Sequence, residues 1–415
     1  MASSPSRHYE IRTLILLGLA YGFAYYDRMM MTFLTPFIVP EFQLNNTQVG
    51  ALGAALSLSW AIGAYILGRW SDSLGVRKPF LLASLVIFSA CSVLSGLAID
   101  FWTLFASRLL MGLVEGPFLP ICLAIIAVVT PARRRGLNIG IVQNVFGAIL
   151  GTAIAPILSV AIAEMWGWRF SFYTAALPGF ILAFLIWRYV AEPHEPAQPM
   201  GAKGTSTGPG MLEMLRRRNI ALCAVIGCLL VGSVVLGSIF LPLYLTRIRG
   251  FEPGHMATIM AILGLCPPIG GLLVPFLSDR VGRRLPLVVF GALMAVTPLA
   301  ALYFQGSSGI LTALMFLGWI GLGTFPLFMG VIPAETLSGK GTAAAMGLVV
   351  AIAELTGGVL APLGAGRLAD AYGLQSPLLM AVAMALIAGL VALFLEETNK
   401  AAQDAAQLET EAHAS

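Results

Sequence analysis

Charge is what this chain of 415 residues has least of. Lys, Arg, Asp and Glu make up 11% of it, where an ordinary soluble domain carries roughly a quarter. The five cysteines (Cys91, Cys122, Cys223, Cys228, Cys266) stand singly inside apolar runs, without the paired spacing of a metal site. Buried free thiols are the expected state, and no metal or organic cofactor is expected. There is no phosphate-binding loop and no nucleophile–base pair, so nothing points to an enzyme. Long polar stretches are scarce as well. The only extended one between apolar runs is 191–219, rich in Pro, Gly, Ser and Thr and closing with Arg216-Arg217-Arg218.

What remains is apolar. Hydrophobic residues make up 58% of the chain, with 45 glycines, and the mean hydropathy is +0.88. Runs near 12–37, 48–70, 79–99, 101–127, 136–163, 169–190, 220–247, 256–278, 286–305, 309–334, 342–370 and 375–395 are each long enough to cross a bilayer as a helix. This predicts an all-α membrane protein of twelve transmembrane helices. The first run is not expected to be a cleavable leader, since it is long and carries Asp27 and Arg28 in its middle. Basic clusters (Arg77-Lys78, Arg133-Arg134-Arg135, Arg216-Arg217-Arg218, Arg283-Arg284) fall on one side, and the opposite loops hold only Arg169, Arg247 and Arg249. Both termini are therefore expected in the cytoplasm. The net charge of +4 is a topological signal, and no nucleic-acid partner is expected.

The chain also repeats itself. Asp72 and Gly75, in Gly68-Arg69-Trp70-Ser71-Asp72-Ser73-Leu74-Gly75-Val76-Arg77-Lys78, recur as Asp279 and Gly282, 207 positions on. Gly151-Thr152-Ala153-Ile154-Ala155-Pro156 is echoed by Gly357-Gly358-Val359-Leu360-Ala361-Pro362 at 206. Two matches at nearly the same offset predict a tandem duplication, as in many secondary transporters. The expected domains are a six-helix bundle over 1–190, a cytoplasmic linker over 191–219, a second, pseudo-symmetric bundle over 220–395, and a tail over 396–415 that starts as a helix.

Twelve spans, a central linker and the Gly-x-x-x-Asp-x-x-Gly-x-Arg-Lys loop with its second copy resemble the major facilitator superfamily. That resemblance implies a conformational latch built from Arg69, Asp72, Arg77, Asp279 and Arg283. A narrower likeness lies in Tyr25-Tyr26-Asp27-Arg28 and in Arg108 followed by Glu115-Gly116-Pro117. These resemble the anion:cation symporter family, which implies a carboxylate or other small anion as substrate.

The residues themselves point the same way. Asp27 and Arg28 sit midway along the first span and Glu115 midway along the fourth. A charge at a helix centre costs about 2.5–3.5 kcal/mol on insertion scales, so this triplet facing lipid would cost roughly 8–10 kcal/mol. It must face a wet cavity, a ligand or itself. Tyr21, Tyr25 and Arg28 fall at i, i+4 and i+7, presenting two phenols and a guanidinium on one face. Arg28, with its planar fork, is the expected anion anchor, with Tyr21, Tyr25, Gln143, Asn144 and Phe146 beside the substrate. Asp27 and Glu115 are the expected proton carriers, with Glu354 a further titrating site or a pairing partner. Asn144, Gly147, Ala148 and Gly151 should share one face of the fifth span. Glu335, at the cytoplasmic end of the tenth, reads as a latch residue or a solvated loop charge, and Pro267-Pro268 should kink the eighth. An inner-membrane, monomeric importer of a small organic anion driven by protons is the expectation. An organic-anion antiporter or exporter is the rival, although Thr152 after Gly151 only half matches the exporter-type stretch. A membrane receptor would want a larger cytoplasmic segment.

Overall fold

Twelve helical spans carry nearly all of the residues described in the computed structural model, which are 7–192, 210–337 and 341–399. They are α1 (Arg7–Phe42), α2 (Asn46–Leu74), α3 (Lys78–Gly96), α4 (Phe101–Val129), α5 (Arg133–Trp166), α6 (Trp168–Tyr189), α7 (Arg218–Arg247), α8 (Pro253–Val281), α9 (Arg284–Tyr303), α10 (Ser308–Thr336), α11 (Ala344–Tyr372) and α12 (Gln375–Ala392). Residues 193–209 of the expected linker and 400–415 of the tail lie outside the described residues. Helix is the form this composition dictates, because a chain in lipid must satisfy its backbone internally. Eleven of the twelve are long and apolar enough to cross a membrane. The exception is α1, whose hydropathy is diluted by its tyrosines, Asp27 and Arg28. Large apolar side chains are left outward, among them Leu272 at 78% and Trp102 at 69% exposure, as a lipid-facing surface requires.

Local chemistry sets the ends and the breaks. Asn45 and Gln48 cap α2 reciprocally: each backbone N–H donates to the other's side-chain oxygen, at 3.0 and 2.8 Å. At the start of α4, Thr103 N donates to Asp100 Oδ1 at 2.8 Å. Gly116 and Pro117 divide α4, and the expected kink in α8 falls at Gly264 and Leu265, just ahead of Pro267-Pro268. Both α5 and α11 widen into π-helix, over Ile141–Ile154 and Glu354–Leu360. Each π stretch is followed by a proline, Pro156 and Pro362, that has no N–H to return to the turn before it. The tail corrects one expectation: residues 396–399 are not helical, because Glu397 is engaged at the start of α9.

The chain divides into two compact units, Met1–Lys203 with Pro242–Leu265, and Gly204–Leu241 with Cys266–Ser415. In the first, α1 packs on α5 and α6, α2 on α4, and α3 on α4 and α6. Its core gathers Leu17, Leu81, Phe88, Phe118 and Ile125. In the second, α7 meets α11 and α12, α8 meets α10, and α9 meets α10 and α12, around Leu230, Leu287, Phe328 and Val349. The pairing scheme is the same in both, as a duplication demands.

Close helix crossings repeat too. A Cβ on Gly63 would lie 1.8 Å from the Leu113 carbonyl oxygen, and one on Gly116 2.4 Å from that of Trp60. Their counterparts 207 residues on, Gly270 and Gly323, face the Ile320 and Gly270 oxygens at 2.3 and 2.0 Å. Backbone meets backbone in both crossings, so no side chain can yield. Gly63→Ala should therefore cost at least about 2–3 kcal/mol, read as earlier thermal unfolding of the detergent-purified protein. Gly68→Ala on the same helix, with nothing within 4 Å of the added carbon, should unfold like the wild type.

Candidate functional site

The first unit closes a group of charges inside its helices. Asp27 on α1 is fully buried, and Arg108 and Glu115 on α4 are 1% and 6% exposed. Ser92 Oγ on α3 lies 3.0 Å from Asp27 Oδ1. Arg108 Nη2 donates to Ser95 Oγ at 2.7 Å, with Ser107 Oγ a further 2.9 Å beyond, and its guanidinium lies 5.1 Å from the centre of the Phe172 ring on α6. Asp27 and Arg108 lie within electrostatic reach of each other, and Glu115 within reach of Arg28, Asp27 and Arg108. Asp27 Oδ2, Arg108 Nε and Nη1, and Glu115 Oε2 have no hydrogen-bond partner among the described residues. Such atoms are rare in a packed interior. Together they give the cluster spare capacity for a proton or a polar ligand.

Adjacent residues on a helix point about 100° apart, and Asp27 and Arg28 illustrate it. While Asp27 turns to α3 and α4, half-buried Arg28 lies over the Trp60 ring on α2, 5.3 Å from its centre. One turn and two turns back, Tyr25 and Tyr21 stack with ring centres 6.1 Å apart. Both rings sit on α5 glycines: a Cβ on Gly151 would meet Tyr25 at 2.2 Å and one on Gly147 would meet Tyr21 at 2.9 Å. Phe146 is seated over Gly18, where an added Cβ would be 2.4 Å from its ring. The small residues of α5 thus bring α1 in close. Asn144 does not share their face. It is exposed, as is Gln143, while Gly147, Ala148 and Gly151 are buried, because the wider π turn breaks the i, i+3, i+7 alignment of an α-helix. Glu354 lies in the second unit, half-buried at the first turn of the π stretch of α11.

The duplicated loops are built alike within their own units. Gly75 and Gly282 turn the chain with left-handed φ of +66° and +92°. Arg77 Nη1 donates to Ser71 Oγ at 3.3 Å, and Arg283 Nη1 to Ser278 Oγ at 2.8 Å. In each, a distant carboxylate caps the next helix. Glu192 accepts from the N–H groups of Arg77 and Lys78, the latter at 2.8 Å. Glu397 accepts from those of Arg283 and Arg284 at 2.8 and 3.1 Å. Arg283 also pairs with Asp279 and, at 2.8 Å, with Glu335, so Glu335 is a paired charge of this loop. Arg69 donates to the Tyr65 hydroxyl at 3.1 Å; the Asp72 side chain lies outside those described. Sequence reasoning missed Glu192, Glu397, Ser92 and Ser95. The two glutamates did carry a signal, standing 205 positions apart, within two residues of the offset of the repeat.

Comparison with known proteins agrees with this architecture. The model of the Major Facilitator Superfamily matches residues 17–334 and 238–413. The chain belongs to that superfamily, whose members transport and are not enzymes. A probable 4-methylmuconolactone transporter of Cupriavidus pinatubonensis is 28% identical over 72% of this chain and 70% of its own length. A gentisate transporter of Corynebacterium glutamicum is 26% identical over 90% and 85%. The multidrug resistance protein MdtG of Proteus mirabilis is 28% identical over 62% and 63%. Among solved structures, a bacterial homologue of the human lysosomal transporter Spinster superposes with a TM-score of 0.79 at 20% identity, covering 94% of this chain and 97% of that one, which shows a common fold.

The capping carboxylate allows a pH test. Partial burial works against its charge, yet backbone N–H groups of Arg283, Asn399, Arg284 and Thr398 hold the Glu397 carboxyl below its ordinary value. A group with a lowered pKa stabilises the fold at neutral pH and loses that contribution as pH falls through its folded value. Glu397→Gln should unfold more easily than wild type at pH 7, by about 1–2 kcal/mol. The gap should close only below the ordinary glutamate range of about 4.3, as followed by thermal unfolding against pH.

Proposed function

We propose that this multi-pass membrane protein is a proton-coupled symporter that imports a small organic carboxylate by alternating access. Arg28 anchors the anion through its planar, permanently charged fork. Tyr21, Tyr25, Gln143, Asn144 and Phe146 stand beside the substrate. Asp27 and Glu115 carry the coupled protons, with Glu354 as a further titrating group. The loop residues Arg69, Asp72, Arg77, Asp279 and Arg283 act as the conformational latch. The protein works as a monomer in the inner membrane with both termini in the cytoplasm. Its halves, 1–190 and 220–395, are joined by the 191–219 linker and followed by the 396–415 tail.

One observation carries this reading. Two carboxyl groups, Asp27 and Glu115, are closed off inside the helices with an unpartnered oxygen each, in the field of Arg108 and Arg28. Buried acids flanked by cations are placed to exchange a proton when an anion reaches the cations, which is the linkage that symport requires. Relatives named for gentisate and 4-methylmuconolactone support an organic acid. The apolar and aromatic flank of Phe146, Tyr21 and Tyr25 supports one with an apolar portion. Energetically the scheme is sufficient, because a proton crossing 100 mV carries about 2.3 kcal/mol, enough for roughly fifty-fold accumulation. The relative named for multidrug resistance supports a second reading, an exporter. It requires the acids to be drawn outward against an inward proton flow.

Uptake of radiolabelled organic acids into proteoliposomes, with pH and potential imposed separately, tests the proposal. Arg28→Ala and Arg28→Lys should both lower uptake at least tenfold, since lysine keeps the charge and loses the fork. Near-normal transport by the lysine variant would refute the bidentate anchor. Asp27→Asn and Glu115→Gln should keep substrate counterflow while losing acid-driven accumulation. Unchanged accumulation in both single variants and in the double variant would remove the proton role.

A further inference from the structure

One hydroxyl in the buried cluster has more acceptors than protons. Ser92 Oγ lies 3.0 Å from Asp27 Oδ1 on α1 and 3.0 Å from the Phe172 carbonyl oxygen on α6, yet a serine carries a single O–H. Ser89, one turn earlier, spends its hydroxyl on the Leu85 carbonyl of its own helix at 2.8 Å, the ordinary use of serine in a helix. Ser92 instead reaches two other helices at once.

The geometry points to Ser92 as a two-position hydroxyl switch that reads the protonation of Asp27 and passes it to α6. With Asp27 ionised, the carboxylate is the stronger acceptor and takes the Ser92 proton as a charge-assisted bond. With Asp27 protonated, the acid O–H donates to Ser92 Oγ, and the Ser92 proton turns to the Phe172 carbonyl. The Ser92 proton has an acceptor in each state, and no proton leaves the trio beyond the one Asp27 gains or loses. The readout is a bond between α3 and α6, made in one state and broken in the other. Phe172 also supplies the ring beneath the Arg108 guanidinium, so a change at this point of α6 is felt by the cation opposite Asp27. The ionisable groups facing Asp27 are Arg108 and Glu115 from α4, Cys91 from α3 and Tyr26 beside it on α1. From α6 it meets the Phe172 carbonyl through Ser92. Ser92 is therefore a positioning residue, acting through Asp27, and this inference rests on the reading that Asp27 carries a proton.

Infrared titration of the carboxyl C=O band on the purified full-length protein between pH 4 and 9 tests it without transport, with Asp27→Asn identifying the band. Ser92→Ala should move the Asp27 midpoint by at least half a pH unit, about threefold in proton affinity. It should also raise the frequency of the protonated band, which loses its acceptor. Ser92→Thr, which keeps the hydroxyl, should restore both, and Ser92→Cys, a weak donor, should fall between if the alanine variant does not fold. In proteoliposomes the alanine variant should shift the pH profile of uptake by the same interval while leaving counterflow intact. An Asp27 band that titrates identically in wild type, Ser92→Ala and Ser92→Cys would overturn the switch alone. Absence of any titrating Asp27 band would overturn the proton reading, and the switch with it.

Discussion

A guanidinium closed inside a helix bundle must be answered by the protein, because no bulk water reaches it, and Arg108 makes that demand at the centre of the first unit. A buried charge left uncompensated costs several kcal/mol. The surroundings follow from this constraint. Asp27 supplies the countercharge, Ser95, with Ser107 behind it, takes one edge of the guanidinium, and Phe172 lies under its face. The three helices α1, α3 and α6 that carry these groups are thereby tied to α4 at one depth. Asp27 Oδ2, Arg108 Nε and Nη1 and Glu115 Oε2 are left without a hydrogen-bond partner among the described residues. In the proposed cycle that incompleteness is what lets proton and anion act on each other.

Duplication explains much of the rest. In the duplicated loops the serine, the left-handed glycine and the capping glutamate are each present once per half. The glycine-on-carbonyl crossings of α2 with α4 and of α8 with α10 recur likewise. Charges within the bundles do not follow the repeat. Asp27, Arg108 and Glu115 have no acidic or basic counterpart 207 positions on, where Val234, Met315 and Leu322 stand. Packing was copied and kept in both halves, while buried polarity was concentrated in one.

Most of this architecture was legible in the sequence, because bilayer thickness fixes helix length and lipid leaves the backbone no alternative to helix. All twelve spans lie within a few residues of where hydropathy places them, and Gly116-Pro117 and Pro267-Pro268 mark real interruptions. Asp27, Arg28 and Glu115 were legible for the same reason, since a charge in an apolar run is conspicuous. The serines were not: Ser92 and Ser95 resemble any small residue of a membrane helix until their neighbours on α1, α4 and α6 are known. Asn144 was misplaced on its helix because an α-helical spacing was assumed through what is a π-helix. Glu192 and Glu397 escaped because capping depends on a partner more than a hundred residues away.

In the proposed cycle, anion binding at Arg28 and protonation of the buried acids are one linked event. Proton uptake on ligand binding measures it directly, using purified protein in weakly buffered detergent, a pH-indicator dye and a titration with organic acids such as gentisate. About one to two protons should be taken up per anion bound near neutral pH, falling in Asp27→Asn and Glu115→Gln and vanishing in Arg28→Ala, which should not bind. Saturable binding with no proton uptake at any pH from 5 to 8 would contradict it.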